Sequence, residues 1–86
     1  RLADEVPNEF KCSITMEIMQ DPVIAADGHT YERAAITQWL VHNTSPKTGA
    51  VLPNTNLIPN FTLRSIIQDW LVGYQGEMNG GAFFDF

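Results

Sequence analysis

The sequence predicts a small α+β domain in which a short β-hairpin, a central helix, two long loops and a C-terminal helix follow one another along the chain. Three observations carry that expectation. The apolar run Val23-Ile24-Ala25 meets the turn pair Asp27-Gly28 and then His29-Thr30-Tyr31, which reads as a hairpin of very short strands. Leu63, Ile66, Ile67, Trp70 and Leu71 recur at i, i+3, i+4, i+7 and i+8, the stripe of an amphipathic helix. The chain has 86 residues, enough for one domain. A domain of that size buries only ~60% of the surface its unfolded chain exposes and usually needs disulfides, metal or a partner as well.

In chain order, residues 1–6 are polar and acidic without periodicity and read as a flexible leader before Pro7. The segment Phe10 to Met19, FKCSITMEIM, is too irregular for an amphipathic helix and ends against Asp21-Pro22, so it reads as a packed loop. After the hairpin, Thr30 suits an N-cap with Glu32 in the first turn, and Ile36, Trp39 and Leu40 fall at helical spacing, which places a helix over 32–41. The polar stretch HNTSPKTGAVLPNTN follows as a second long loop. Asn60 is a good N-cap for the last helix, and Gly73 suits its C-terminal cap. The domain is therefore expected over 7–73, with a Gly-rich, flexible tail over 74–86 ending in Phe83-Phe84-Asp85-Phe86. Long loops in so small a domain are usually functional. Ile14 and Met16 in the first and Pro46 in the second would give them an apolar contact surface if they lie side by side.

Lys and Arg number 5 against 10 Asp and Glu, a net charge of -5, and the basic residues are scattered, which speaks against nucleic acid as a partner. Cys12 is the one cysteine, so an intramolecular disulfide is excluded. No apolar run approaches the ~20 residues of a membrane span, and Arg1-Leu2-Ala3-Asp4-Glu5 lacks the order of a signal peptide. The expectation is an intracellular chain, in cytoplasm or nucleus, without a membrane partner. Because it begins at Arg1, it is expected to be a piece of a longer protein.

The spacings Cys12-Ser-Ile-Thr15, Asp27-Gly-His29, Glu32, Ala35 and Ser45-Pro-Lys-Thr48 trace a zinc cross-brace whose ligands are missing, since only Cys12 and His29 could bind zinc. Together with Phe10-Lys11-Cys12-Ser13-Ile14-Thr15, Asp21-Pro22-Val23, Gly28-His29-Thr30-Tyr31-Glu32-Arg33 and Leu57-Ile58-Pro59-Asn60, they carry a resemblance. From Val6 to about Leu71 the chain resembles a U-box domain, the metal-free relative of the RING finger. The resemblance implies a RING-like fold with no zinc and no cofactor. Asp27, Glu32, Arg33, Ser45 and Asn60 are then expected in hydrogen-bonded networks where metal would otherwise cross-link the loops. For Asp27 and Ser45 the plainer reading as solvated loop residues stands level with this one, and Asn60 also reads as a simple cap.

A U-box is similar to a RING in function: it binds a ubiquitin-conjugating enzyme charged with ubiquitin and promotes transfer to a substrate lysine without a covalent ligase intermediate. The resemblance places the groove for that enzyme on Ile14, Met16, Trp39, Pro46 and Lys47. Trp39 could instead be core, and Met16 a buried gap-filler. Many active RING and U-box ligases carry an activating Arg one residue beyond the position of Thr48, where this chain has Gly49. The protein substrate would be recruited by regions outside this chain. Two rival readings are a thiol enzyme built on Cys12, which would need a base such as His29 or His42 nearby, and a non-catalytic U-box scaffold that forms a homodimer, which Gly49 keeps open.

Overall fold

The computed structural model describes residues 6–78, with side-chain environments for residues 6–73. The hairpin forms where expected. Strands β1 (Pro22–Ile24) and β2 (Thr30–Glu32) pair antiparallel with Val23 opposite Tyr31. Gly28 takes φ 82° in the connecting turn, a conformation open to glycine at little cost. Its N–H donates to the Ala25 carbonyl at 2.9 Å. A third strand, β3 (Ile58–Pro59), lines the other edge of β1, so the sheet order is β2-β1-β3. Pro59 lacks an N–H, which an edge strand tolerates. The Asn60 N–H extends the pairing by donating to the Pro22 carbonyl at 2.9 Å.

Helix α1 (Arg33–Trp39) follows β2 without a break and tightens into a 3-10 turn over Leu40–His42. Asn43 ends that turn at φ 58°, in the left-handed region that Asn enters more readily than most residues. Thr30 is not the cap expected of it, because it lies in β2; Glu32 holds the cap position, with no side-chain capping bond. The Arg33 N–H is satisfied from a distance instead, by the Asp21 carbonyl at 3.0 Å.

Helix α2 (Phe61–Met78) starts as expected, with Asn60 Oδ1 accepting from the Leu63 N–H at 3.1 Å. Its end differs. Gly73 does not stop it: the residue keeps a negative φ and the helix runs on to Met78, at the ~1 kcal/mol that a helical glycine costs relative to alanine. The helix thus enters the stretch expected to be a flexible tail, while Phe83–Phe86 and residues 1–5 lie outside the described residues.

One core joins these elements. Val23, Tyr31, Ile36 and Ile67 are fully buried, one from each of β1, β2, α1 and α2, and each large side chain removed from water contributes about 1.5–3 kcal/mol. Phe10, in a 3-10 turn at Asn8–Phe10, meets Trp70 edge-to-face at 5.8 Å. Two expectations are corrected here. Val6, placed in the leader, belongs to the buried cluster, and Ile66, placed on the apolar stripe, is 48% exposed because α2 turns its Leu63, Ile67, Trp70 and Leu71 face to the core.

Candidate protein-docking site

The two long loops are built alike. In the first, Lys11 bridges to Ile18, the Cys12 N–H donates to the Glu17 carbonyl at 2.9 Å, and the Met16 N–H returns to the Cys12 carbonyl at 2.6 Å with Met16 at φ 61°. In the second, Thr44 bridges to Val51, the Ser45 N–H donates to the Ala50 carbonyl at 2.8 Å, and the Gly49 N–H returns to the Ser45 carbonyl at 2.9 Å with Gly49 at φ 79°. Each is a tight five-residue corner closed by a left-handed residue rather than an open loop. Helix α1 touches both. Ala34, Ala35 and Gln38 face Ile14 and Thr15 of the first loop, and the Trp39 indole N–H donates to the Thr44 carbonyl of the second at 2.8 Å.

Three polar anchors fix this arrangement. Asp27 accepts from the Ser45 hydroxyl at 2.6 Å, the Tyr31 hydroxyl at 2.7 Å and the His29 N–H at 2.9 Å. Ser45, buried to 2% exposure, in turn accepts from the N–H groups of Lys47 and Thr48, each at 3.1 Å. Burial pushes the Asp27 carboxyl up, but the hydrogen bonds from Ser45, Tyr31 and the His29 backbone outweigh it and hold the group below its ordinary value. Tyr31 moves the other way: burial first, and then its bond to Asp27, push the phenol well above its usual range. At the second anchor, Glu32 accepts from the N–H groups of Gln20 at 2.7 Å and Asp21 at 3.0 Å, while Arg33 Nε pairs with Asp21 at 2.7 Å on a partly exposed surface. At the third, Asn60 caps α2 and donates to the Thr30 hydroxyl at 3.3 Å. Thus Asp27 and Ser45 bond each other, and Glu32 with Arg33, and Asn60, serve two other junctions. Among the described residues no buried side-chain N or O lacks a partner, and no three His, Cys, Asp or Glu gather as metal ligands would.

The apolar positions sit beside these anchors. Ile14 is half-buried, and an open groove of about 310 Å3 separates the Ile14-Thr15 corner from Glu32, Ala34, Ala35 and Gln38 of the helix side. Met16 projects at 69% exposure, so it is no gap-filler. Trp39 is half-buried against the core and its ring meets His42 at 4.8 Å, while Pro46 is half-buried and Lys47 exposed. Sequence reasoning did not find Ala34, Ala35 and Gln38. Ala34 and Ala35 signal it only by small volume at consecutive helix positions, which leaves the groove open, and Gln38, one turn on, carries no such signal. Cys12 is fully buried, which removes the accessible thiol that a covalent mechanism requires. Among the described residues no helix is long and apolar enough to cross a membrane.

A family model described as U-box domain matches residues 6–75, all but the margins of the chain. The chain belongs to the U-box family. Similar proteins carry the same module: U-box domain-containing protein 54 of Arabidopsis thaliana is 56% identical over 73 residues, covering 80% of this chain and 24% of that protein. U-box domain-containing protein 12 of Oryza sativa is 52% identical over 67 residues, with 76% and 11% covered. The WD repeat, SAM and U-box domain-containing protein 1 of Homo sapiens is 47% identical over 76 residues, with 86% and 16% covered. The chain therefore spans about a tenth to a quarter of the length of these relatives. Within this U-box, the zinc-ligand spacings are occupied by Thr15, Asp27, Glu32, Ala35, Ser45 and Thr48, and Asp27, Glu32 and Ser45 make side-chain bonds across the junctions described above.

Proposed function

We propose that this U-box is a ubiquitin ligase module that docks a ubiquitin-conjugating enzyme carrying ubiquitin as a thioester. The observation that carries the reading is the pairing of U-box membership with two hydrogen-bonded corners that both meet α1, Ile14 and the exposed Met16 on one, Pro46 and Lys47 on the other, which Trp39 of α1 touches. Ala34, Ala35 and Gln38 floor the groove beside Ile14. The module contributes proximity and orientation: by holding the charged enzyme it restricts the thioester to geometries that a substrate lysine can attack, the kind of advantage that ordering alone supplies. No ligase cysteine takes part, in keeping with the burial of Cys12. In this reading the substrate is recruited by parts of the whole protein beyond this chain, and the work is done in cytoplasm or nucleus.

The test is autoubiquitination with a panel of ubiquitin-conjugating enzymes in the presence of chelator, with Ile14→Ala alongside and circular dichroism to show that the variant is folded. Chains that form despite chelation and vanish in Ile14→Ala support the reading. Silence across the panel from folded protein defeats it. A second reading, a homodimeric scaffold, draws on Ile58 and Phe61, which are 61% and 67% exposed at edge strand β3 and at the start of α2. Sedimentation of the wild type against Ile58→Asp decides it, since a monomer at high concentration ends that alternative.

A further inference from the structure

The chain holds four sulfur atoms, in Cys12, Met16, Met19 and Met78, and the fold treats the three whose surroundings are described very differently. Cys12 is 0% exposed and Met19 2%, whereas Met16, between them in sequence, is 69% exposed. Met16 also holds φ 61°, a conformation that L side chains adopt at a cost. At the matching corner of the second loop that place belongs to Gly49, for which it is nearly free. The backbone accepts that cost to close the corner, through the Met16 N–H to the Cys12 carbonyl, while the Met16 side chain does not pack against the core. The corner thus lifts a flexible thioether into solvent on the docking face.

We propose that Met16 is a modification site: its oxidation to the sulfoxide by a hydroperoxide weakens docking of the conjugating enzyme, and its reduction restores it. The inference rests on the docking function proposed above. In the step itself, a sulfur lone pair attacks one oxygen of the hydroperoxide. The S–O bond forms as the O–O bond breaks, and the departing oxygen leaves as water, or as an alcohol from an organic peroxide, after taking a proton. Sulfur is oxidised by two electrons and the peroxide is reduced by two. The product replaces an apolar, adaptable contact with a polar S=O acceptor. When a partner covers the face that acceptor is stripped of water, and the neighbouring Ile14 side chain offers it no donor. Cys12 and Met19, held in the core, escape the reagent while the domain stays folded.

The experiment uses the full chain with Met78→Leu, so that Met16 and Met19 carry its only thioethers, and a brief exposure to dilute hydrogen peroxide. Peptide mass spectrometry should find the added oxygen on Met16 at least about tenfold faster than on Met19, in line with exposure. Affinity for a conjugating enzyme that the untreated chain binds should fall about tenfold on oxidation and recover with a methionine sulfoxide reductase. Met16→Leu, whatever its own affinity, should show the same affinity before and after peroxide, and untreated Met16→Gln should bind more weakly than untreated Met16→Leu; both are unbranched at Cβ. Equal oxidation of Met16 and Met19, or unchanged affinity of protein oxidised at Met16, overturns the inference. If the untreated chain binds no member of the panel, the docking function falls and takes the consequence for Met16 with it; selective oxidation beside intact binding sinks the inference alone.

Discussion

Ser45→Ala tests whether a hydrogen-bond network holds the second loop corner in place. The substitution removes one oxygen that donates to Asp27 at 2.6 Å and accepts from the Lys47 and Thr48 N–H groups at 3.1 Å. Asp27 keeps its bonds from Tyr31 and His29, so no bare charge is left behind. The main loss is a single bond to a carboxylate, about 1.5–3 kcal/mol. Lys47 and Thr48 are exposed, and water can replace the lost acceptor there, so those bonds add only a few tenths. The expected cost is about 2 kcal/mol, which in a domain of this size lowers Tm by about 8–16 °C. Urea and thermal unfolding followed by circular dichroism at neutral pH measure it. The pH dependence follows from the Asp27 carboxyl, which lies below its ordinary value in the folded state. A depressed folded pKa gives stability that is present above the unfolded pKa and is lost as pH falls through the folded one. Removing Ser45 takes away the strongest of the lowering bonds, so the variant has less to lose in acid and its gap to the wild type narrows as pH falls below the ordinary carboxylate range. Coupling to Asp27→Asn in a double-mutant cycle should reach about 1 kcal/mol. A cost below about 0.5 kcal/mol at neutral pH, or one that does not shrink in acid, would refute the network as the anchor of the loop.

Asn60→Ala should cost about 1–2 kcal/mol, measured by urea unfolding, because it deletes both the α2 cap and the bond to Thr30; Asn60→Asp, which keeps an acceptor for the Leu63 N–H but no donor for Thr30, should recover part of it. Tyr31 has a folded pKa raised by burial and by Asp27, so its contribution is fully present below about pH 10 and is lost as pH rises beyond that; Tyr31→Phe should flatten the alkaline limb of the stability profile while costing about 1 kcal/mol at neutral pH. Gly49→Arg places a side chain at φ 79° with no atom within 4 Å of its Cβ, so it should lower stability by about 1–2 kcal/mol without a clash. The same variant should speed discharge of ubiquitin to free lysine from a charged conjugating enzyme at unchanged affinity, and an unchanged or slower rate would count against the activating role of a cation at that corner.

The features legible in the sequence are those whose cause is local. Asp27-Gly28 marks the hairpin because only glycine takes φ 82° cheaply, and Asn60 marks the start of α2 because its own side chain satisfies the Leu63 N–H. Thr30 misleads because the same local logic offers a cap, whereas tertiary pairing with Ile24 draws it into β2 and the helix begins after Glu32. Strand β3 is invisible locally: it has two residues, one of them proline, and exists only because β1 presents a free edge some thirty-five residues earlier in the chain. Gly73 fails as a stop because a C-terminal cap needs a left-handed residue, and the residue stays helical. At the site, the exposed and polar positions Met16, Lys47, Asp27 and Ser45 could be picked out by residue type, but the partners Asp27 and Ser45 would choose could not. The groove beside Ile14 is still harder to read, since Ala34 and Ala35 mark it by lacking volume.

The anchors explain how a chain too small for a large core can still present two stiff corners. Each joins segments far apart in sequence: Asp27 to Ser45 across 18 residues, Glu32 to Gln20 across 12, and Asn60 to Thr30 across 30. All three meet β2 or the turn that leads into it, so the joined segments are fixed to the hairpin rather than to each other. Polar bonds suit this role because they are directional, and a corner held by them has one geometry where apolar contact alone would permit several. They also divide the labour. Val23, Tyr31, Ile36 and Ile67 supply the burial that keeps the domain folded, while Ser45 and Glu32 set where Pro46, Lys47 and the segment after Met19 lie. Under the docking function proposed above, loss of an anchor therefore displaces Pro46 and Lys47 even where the core stays folded, and the groove beside Ile14 depends on the Glu32 carboxylate that both lines it and holds Gln20 and Asp21.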